Sequence, residues 1–402
     1  MAKVSILEKS PLTKWVMNGW TNVMTNLGKS SKDKRTGARI EITEIDKQDL
    51  EALYHSDDIA ARIVDILPQE ALREGYTIRV EGDKDDEISK SIHAMLEHWR
   101  IDDKIERAWR YARQFGGGAV LLGLDDGRND PSQPLEPSSL KQITYSHAID
   151  RFQMYADTQS LNSDLSSPYF GLPELYRLQS RSGNVEEISI HRSRMLPFFG
   201  VEASQERMPS VDYWGDSVYN RLYNAIRNFQ TAHDSLALIV ADFTVGVTKL
   251  KDLAEICASG NEAALLARLQ LVQQTSSVVN SIVLDAEDDW ERKTTNVGGL
   301  KDLVDKINGR LVAATSMPHT ILFGESPSGL GATGDSEKRD WYDYVKSQQE
   351  SILRPALRKI IDLIMLSSDG PTNKKLFEYD IEFTSLWQEN EKTKLEKRKI
   401  QA

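Results

Sequence analysis

From Asp46 onward apolar residues recur at three- and four-residue spacings: Leu50, Leu53, Tyr54, Ile59, Ile63, Ile66 and Leu67. Side chains spaced in this way share one face of an α-helix, so the run predicts an amphipathic helix. Pro68 and Gly75 are expected to end it. Tyr76 to Val80 reads as a short strand, and residues 88–99 and 101–115 as two more amphipathic helices. The second runs into Gly116-Gly117-Gly118 and then a strand, Ala119 to Leu124. Residues 125–140 hold three prolines with several Asp and Ser, which predicts a loop. Short strands are expected at Ile143 to Tyr145, Phe152 to Tyr155, Glu174 to Leu178 and Ile188 to His191.

The longest periodic stretch carries Trp214, Val218, Leu222, Ala225, Ile226, Phe229, Ala232, Leu236 and Ile239 on one stripe. It predicts a helix of about thirty residues, roughly 45 Å long. Mixed structure follows: strands at Val245 to Lys249, Ser281 to Leu284 and Trp290 to Thr295, and helices near 251–258 and 261–278. A second amphipathic helix carries Leu300, Leu303, Val304, Ile307 and Leu311 and stops before Pro318. A glycine-rich loop, Gly324 to Asp335, precedes a long helix from Ser336 to Leu366 that Pro355 is expected to kink. Phe377 to Phe383 alternates as a strand does, and a lysine-rich helix candidate starts at Ser385. Residues 1–42 are polar, with an amphipathic piece at 15–27 and a basic, flexible stretch at 28–37. The fold class expected is α+β, mostly helical. Without βαβ alternation, a doubly wound sheet is not indicated.

At 402 residues and 40% hydrophobic composition, the chain has apolar surface for about two or three domains. Its net charge of −11 repels nucleic acid on average, so binding to phosphates over the whole surface is not expected. The single cysteine, Cys257, excludes an internal disulfide and a CxxC site and fits a small buried side chain. No apolar run approaches the roughly 18 residues of a membrane span. The N-terminus lacks the apolar core of a signal peptide, so a soluble protein made in a cytoplasm is expected.

Enzyme motifs fail one by one. Gly116 to Gly123 resembles a dinucleotide loop but lacks the third glycine and leads into a strand rather than a helix. Gly324 to Gly331 has P-loop spacing, but Leu330 stands where a phosphate-neutralising lysine is needed. Among the seven histidines there is no HExxH, and His93 and His98 are five apart. Asp285, Glu287, Asp288 and Asp289 do not match an EF-hand and read as a solvated turn. No cofactor and no metal are expected. A phosphodiesterase with paired His-x-Thr or His-x-Ser motifs needs two proton-transfer groups. We count one such motif, His191-Arg192-Ser193, with His319-Thr320-Ile321 out of register.

Five segments, in order, carry a resemblance. They are DIAARIVDILPQEALREGYTI at 58–78, RAWRYARQFGGGAVLLG at 107–123, ISIHRSRMLPFFG at 188–200, WGDSVYNRLYNAIRNFQTAHDSLALIV at 214–240, and SMPHTILFGESPSGLGATGDSEKRDWYDYVKSQQESILRPAL at 316–357. From about 46 to 390 the chain resembles tailed-bacteriophage portal proteins, in the branch sometimes labelled anti-CBASS-like. The resemblance implies a wing at 46–213 and 318–370 after an N-terminal arm at 1–45. It also implies stem helices at 214–243 and 300–317, an α/β clip at 244–299, and a short crown from 371 to 402. The implied assembly is a dodecameric ring at one capsid vertex, non-enzymatic, through which double-stranded DNA is packaged and ejected. Its implied partners are the terminase motor, the major capsid protein and the head–tail connector proteins, with no membrane, and its place is the virion. The implied tunnel loop is 324–335, with Gly324, Ser326, Ser328, Gly329, Gly331, Thr333, Gly334 and Asp335 as site residues. Lys249, Lys251, Lys301 and Lys306 are candidate phosphate contacts in a tunnel expected to be mainly acidic. Two alternatives are a cyclic-nucleotide phosphodiesterase countering host defence and a head-completion structural protein.

Overall fold

A computed structural model describes residues 44–83, 85–128, 130–179, 187–241, 244–249, 289–294, 299–324 and 335–387. Cys257, the N-terminal arm, the helices expected at 251–258 and 261–278, the strand at 281–284 and residues 388–402 lie outside these. The unit described is Ile45 onward.

The apolar run after Asp46 forms two helices, not one. α1 (Lys47–Ser56) and α2 (Asp58–Arg73) are each started by an aspartate, Asp46 and Asp57, whose carboxylates accept the N–H groups of Asp49 and Ala60. Pro68 does not end α2 but lies buried inside it. A proline there removes the N–H that would bond the carbonyl four residues back, that of Val64. Arg113 supplies the missing donor: its Nε donates to Val64 O at 3.1 Å and its Nη2 to Ile63 O at 2.6 Å. Arg113 lies on α4 (Ile101–Phe115), which follows β1 (Tyr76–Val80) and α3 (Glu87–His98).

β2 (Gly117–Asp125) is the central strand of a three-stranded sheet. It pairs antiparallel with β3 (Gln142–Asp150) on one side and β7 (Met195–Phe199) on the other. Side chains alternate across a strand, and both faces of β2 are covered. Val120, Leu122 and Leu124 enter the large core with Ile105, Trp109 and Phe198, while Ala119 and Leu121 enter a second core with Tyr176, Met195 and Trp214. That two-sided burial is why the strand reads as an unbroken apolar run. The three glycines, Gly116 just before the strand and Gly117 and Gly118 at its start, serve close contact. Gly116 turns at φ +94°, and a Cβ there would sit 2.1 Å from Gly215 O; one on Gly117 would sit 2.7 Å from the Trp214 side chain.

β3 is longer than the strand expected at 143–145. β4 (Met154–Ala156), β5 (Leu175–Leu178) and β6 (Ile188–His191) make a second antiparallel sheet, and β7 is a strand the periodicity did not reveal. Trp214 is not part of the long helix: it sits in a turn after Asp212 and Tyr213, both at positive φ, and packs on Gly117. The helix itself, α5 (Val218–Ala241), has 24 residues.

β8 (Thr244–Lys249) and β9 (Asp289–Thr294) pair antiparallel, Thr244 opposite Thr294. α6 (Leu300–Thr315) stops before Pro318, and a short turn of helix, α7 (His319–Leu322), follows. The last long helix comes as α8 (Asp335–Gln348), one π-helical turn at Gln349–Leu353, and α9 (Arg354–Leu366). Where a kink at Pro355 was expected, one π-helical turn lies just before the proline, next to the place where its missing N–H interrupts the backbone ladder. Buried Gln349 in that turn donates to Ala71 O of α2 at 2.7 Å. β10 (Tyr379–Phe383) pairs antiparallel with β1, Ile381 opposite Ile78. Residues 379–383, expected to lie in the crown, therefore pair with β1. The helix expected from Ser385 is not formed over Ser385–Trp387.

Candidate functional site

α5 and α6 leave and re-enter the body together. β8 follows α5 directly and β9 precedes α6 directly, so the Thr244–Thr294 pairing holds the exit of one beside the entry of the other, and the helices run antiparallel. The base of α5 is built in. Ser217 donates its hydroxyl to Gln114 O at 2.6 Å and accepts the N–H of Tyr219. The Tyr219 hydroxyl donates to Ala60 O at 2.9 Å, and Gln230 reaches Asp57 at 2.6 Å. Leu222, Ala225 and Ile226 are buried there.

Cover fails with distance from the base. Phe229 stacks on Phe323 with centroids 5.7 Å apart, and His233 Nε2 lies 3.3 Å from Asn308 Oδ1. Beyond that level Leu238 is 66% exposed, Val240 64% and, on α6, Leu303 59%. A lone exposed leucine is ordinary, but here Leu238 and Leu303 are uncovered on two paired helices, and Val240, two residues on from Leu238, is uncovered on another side of α5. Sequence reading named Leu303 but missed Leu238 and Val240. The missed signal is that residues 236–240, Leu-Ala-Leu-Ile-Val, are apolar all round the helix, whereas one buried face needs only a stripe.

Of the candidate lysines, Lys301 and Lys306 are exposed on α6. Lys249 is the last residue of β8, opposite Asp289, and its side chain lies outside the described residues, as does all of Lys251. The candidate loop is described only at its ends. Gly324, at φ +75°, closes α7, and Asp335 opens α8. Ser326, Ser328, Gly329, Gly331, Thr333 and Gly334 lie outside the described residues. Both ends are anchored: Leu322 and Trp341 are buried, Arg62 Nε donates to Ile321 O at 2.8 Å, and Thr320 bonds Glu337 across the loop at 3.4 Å.

The histidine motif has a structural job. His191 Nδ1 accepts the Ser193 N–H at 3.1 Å and lies 2.8 Å from its Oγ, capping one turn at the end of β6. Burial pushes this imidazole below its ordinary value, favouring the neutral form that accepts. Our count of one motif needs correcting, because His233-Asp234-Ser235 also fits His-x-Ser. It does not complete a pair. It lies on α5, where Ser235 bonds Thr231 O and His233 meets Phe229 and Asn308, partners it does not share with His191. Among the described residues no cluster of potential metal ligands occurs, and no helix is long and apolar enough to cross a membrane.

The body carries the three-stranded sheets β3-β2-β7 and β4-β5-β6 and the β1–β10 pair, and the paired helices α5 and α6 leave it together. The architecture matches a chain of the "Neck of native GTA particle computed with C12 symmetry" at TM-score 0.50, 12% identity, covering 89% of this chain and 90% of that one. It also matches a chain of the "Virion of native gene transfer agent (GTA) particle" at TM-score 0.50, 10% identity and 90% of each. The chain belongs to the phage portal protein family, whose model matches residues 48–402. It is 28% identical over 393 residues to a Caulobacter sp. (strain RHG1) protein named "Anti-CBASS protein Acb1", covering 95% of this chain and 61% of that protein. A Sphingomonas paeninsulae protein of the same name is 29% identical over 373 residues, 90% of this chain and 58% of that one. The chain thus spans about three fifths of both. An uncharacterized Haemophilus influenzae protein is 26% identical over 355 residues, 87% of this chain and 77% of that one.

Proposed function

We propose that this chain is the portal subunit of a tailed phage or phage-derived particle. Twelve copies form a ring at one capsid vertex, and double-stranded DNA passes through it during packaging and ejection. The observation that carries the reading is the loss of cover along the stem. Helices whose bases are locked into the wing and whose far turns expose Leu238, Val240 and Leu303 find their cover on neighbouring copies. A head-to-tail contact of this kind closes into a ring when its rotation permits. Family membership and the C12 particle that holds a chain of this fold support the same assembly.

In this reading the wing runs from 46 to 213 and resumes at 318, the stem is α5 with α6, and the clip is 244–299. The wing extends through β10 because that strand completes the pair with β1. The clip faces the terminase motor and later the connector proteins, and the wing faces the major capsid protein. The net charge of −11 suits a conduit, since each lysine–phosphate contact would add hold on cargo that must move. Lys301 and Lys306 are brief contacts at most. The loop between Gly324 and Asp335, pinned at its ends, follows the DNA surface.

Electron microscopy of the purified chain tests the reading. Rings with a central channel are expected, and a compact single molecule under all assembly conditions would overturn it. Removing residues 325–334 should leave rings intact and impair DNA packaging or retention; loss of rings would refute the loop's role. If the chain is a head-completion protein instead, it will not be confined to one vertex. The name of the two Acb1 relatives favours a second reading, an activity against host defence. Since His191 and His233 are held by different partners, we expect no turnover of cyclic oligonucleotides.

A further inference from the structure

The wing carries a cleft that neither the conduit nor the stem uses. It lies between β7 and α9, with a volume of about 390 Å³, and is walled by Tyr169, Phe199, Pro355 and Ala356. Two cations line it, Arg192 and Lys359. Arg192 is only 9% exposed. Its guanidinium is stacked 4.3 Å from the Tyr169 ring centroid and 5.6 Å from that of Phe199. Its Nη1 is buried without an acceptor in good hydrogen-bond geometry, and the Tyr176 hydroxyl, which interacts with the guanidinium, is likewise without a well-formed bond. Lys359 Nζ donates to Met195 O at 2.7 Å and Arg192 O at 3.3 Å, which leaves one of its three protons. Burial, with Arg192 alongside, pushes Lys359 down to about 8.

Among the described residues no carboxylate forms an ion pair with either cation. Two like charges, Arg192 buried and Lys359 partly buried, are costly without a counter-ion, and an anion between them repays the desolvation already incurred. The wing's other buried arginine shows what is missing here: Arg194, 4% exposed, meets Asp126 at 2.6 Å. We propose that the cleft between β7 and α9 binds a carboxylate set beside an apolar side chain, the chemistry of an acidic peptide segment on a partner protein.

Shape and charge decide against other anions. A DNA duplex presents its phosphates on a rod far wider than this cleft, and a chain at −11 repels it. The volume sits at the small end for a ligand pocket, about 300–1,000 Å³. Tyr169 and Phe199, 48% and 36% exposed, extend the apolar wall past the mouth. Arginine and tyrosine are among the residue types enriched where binding energy concentrates in protein–protein contacts.

The test uses the full chain and two end-capped dipeptides, phenylalanyl-aspartate and phenylalanyl-asparagine, titrated at millimolar concentration and followed by ligand-detected NMR. The aspartate form should bind at least about tenfold tighter, a difference of about 1.4 kcal/mol. Ala356→Phe, which fills the cleft without removing a charge, should abolish binding. Lys359→Gln should erase the preference for aspartate, and it decides the matter if Ala356→Phe fails to fold. Inorganic phosphate at the same concentration should not displace the peptide; if it does, the site takes any small anion and the carboxylate assignment fails. Equal affinity for the two peptides, no binding of either, or a preference that survives Ala356→Phe or Lys359→Gln would each overturn the proposal.

Discussion

Replacing Leu238 and Leu303 together with aspartate should dissolve the ring while leaving each subunit folded. Full burial of a leucine contributes about 1.5–3 kcal/mol. Leu238 is 66% exposed and Leu303 59%, so roughly that share of the contribution is still to be realised when a neighbour covers them. That is ~1–2 kcal/mol for each side chain, and ~2–4 kcal/mol for the pair at every contact. At about 1.4 kcal/mol per tenfold, the association constant of one contact falls by about 30- to 1,000-fold. Each subunit in a closed ring makes two such contacts. The folded monomer loses little, because surface changes usually stay within about 0.5 kcal/mol, with a comparable cost per residue for aspartate in a helix. Mass photometry and negative-stain images give the ring fraction, and circular dichroism melting gives the fold. Leu238→Met serves as the control that keeps an apolar surface and should keep rings. Rings at normal yield in the doubly substituted protein, with unchanged melting, would refute the claim that these turns are covered by neighbouring copies.

Three further tests address the wing. Arg113→Met strands the Val64 carbonyl and should cost about 1–3 kcal/mol in chemical denaturation; adding Pro68→Ala restores a helical donor and should recover part of the loss, and no recovery would refute the pairing of roles. Arg194→Met leaves Asp126, 0% exposed, without its partner and should cost about 3–5 kcal/mol near neutral pH. Burial raises Asp126, but the bonds from Arg194 and two backbone N–H groups hold it below its ordinary value. Its stabilisation is therefore present above the ordinary carboxylate value and lost as pH falls through the lower folded one, so the gap between wild type and variant should close in acid. Lys359 behaves oppositely: burial lowers it from 10.5 to about 8, so the unfolded chain binds the extra proton between those values. Stability should rise with pH across that window, by ~3 kcal/mol at most, and Lys359→Met should flatten the rise.

How much of this was legible depends on whether a residue's partners are near it in sequence. α4 was plain because Ile101, Ile105, Ala108, Trp109 and Ala112 repeat at helical spacing and all are buried. Pro68 misled because the rule that proline ends a helix assumes an unsatisfied carbonyl, and here the donor comes from Arg113, in another helix. Trp214 misled because it has the right spacing to Val218 and Leu222, yet its position is set by the turn at Asp212 and Tyr213 and by the space Gly117 leaves for the indole. β7 escaped notice because Pro197 interrupts it; as an outer strand of its sheet it tolerates the missing N–H.

The functional surfaces divide along the same line. The stem was readable as two amphipathic stretches, and even its uncovered end had a signal in the all-round apolar run at 236–240. The cleft had none. Tyr169 comes from a loop, Arg192 from a capped turn, Phe199 from a strand end and Lys359 from a helix, with 190 residues between the first and last. Arg192 and Arg194 are two residues apart in one motif and look interchangeable there. The fold separates them, giving Arg194 an aspartate and Arg192 two aromatic faces with no acid. A charge with its counter-ion inside the chain holds the wing together, and a charge without one is available to something outside it.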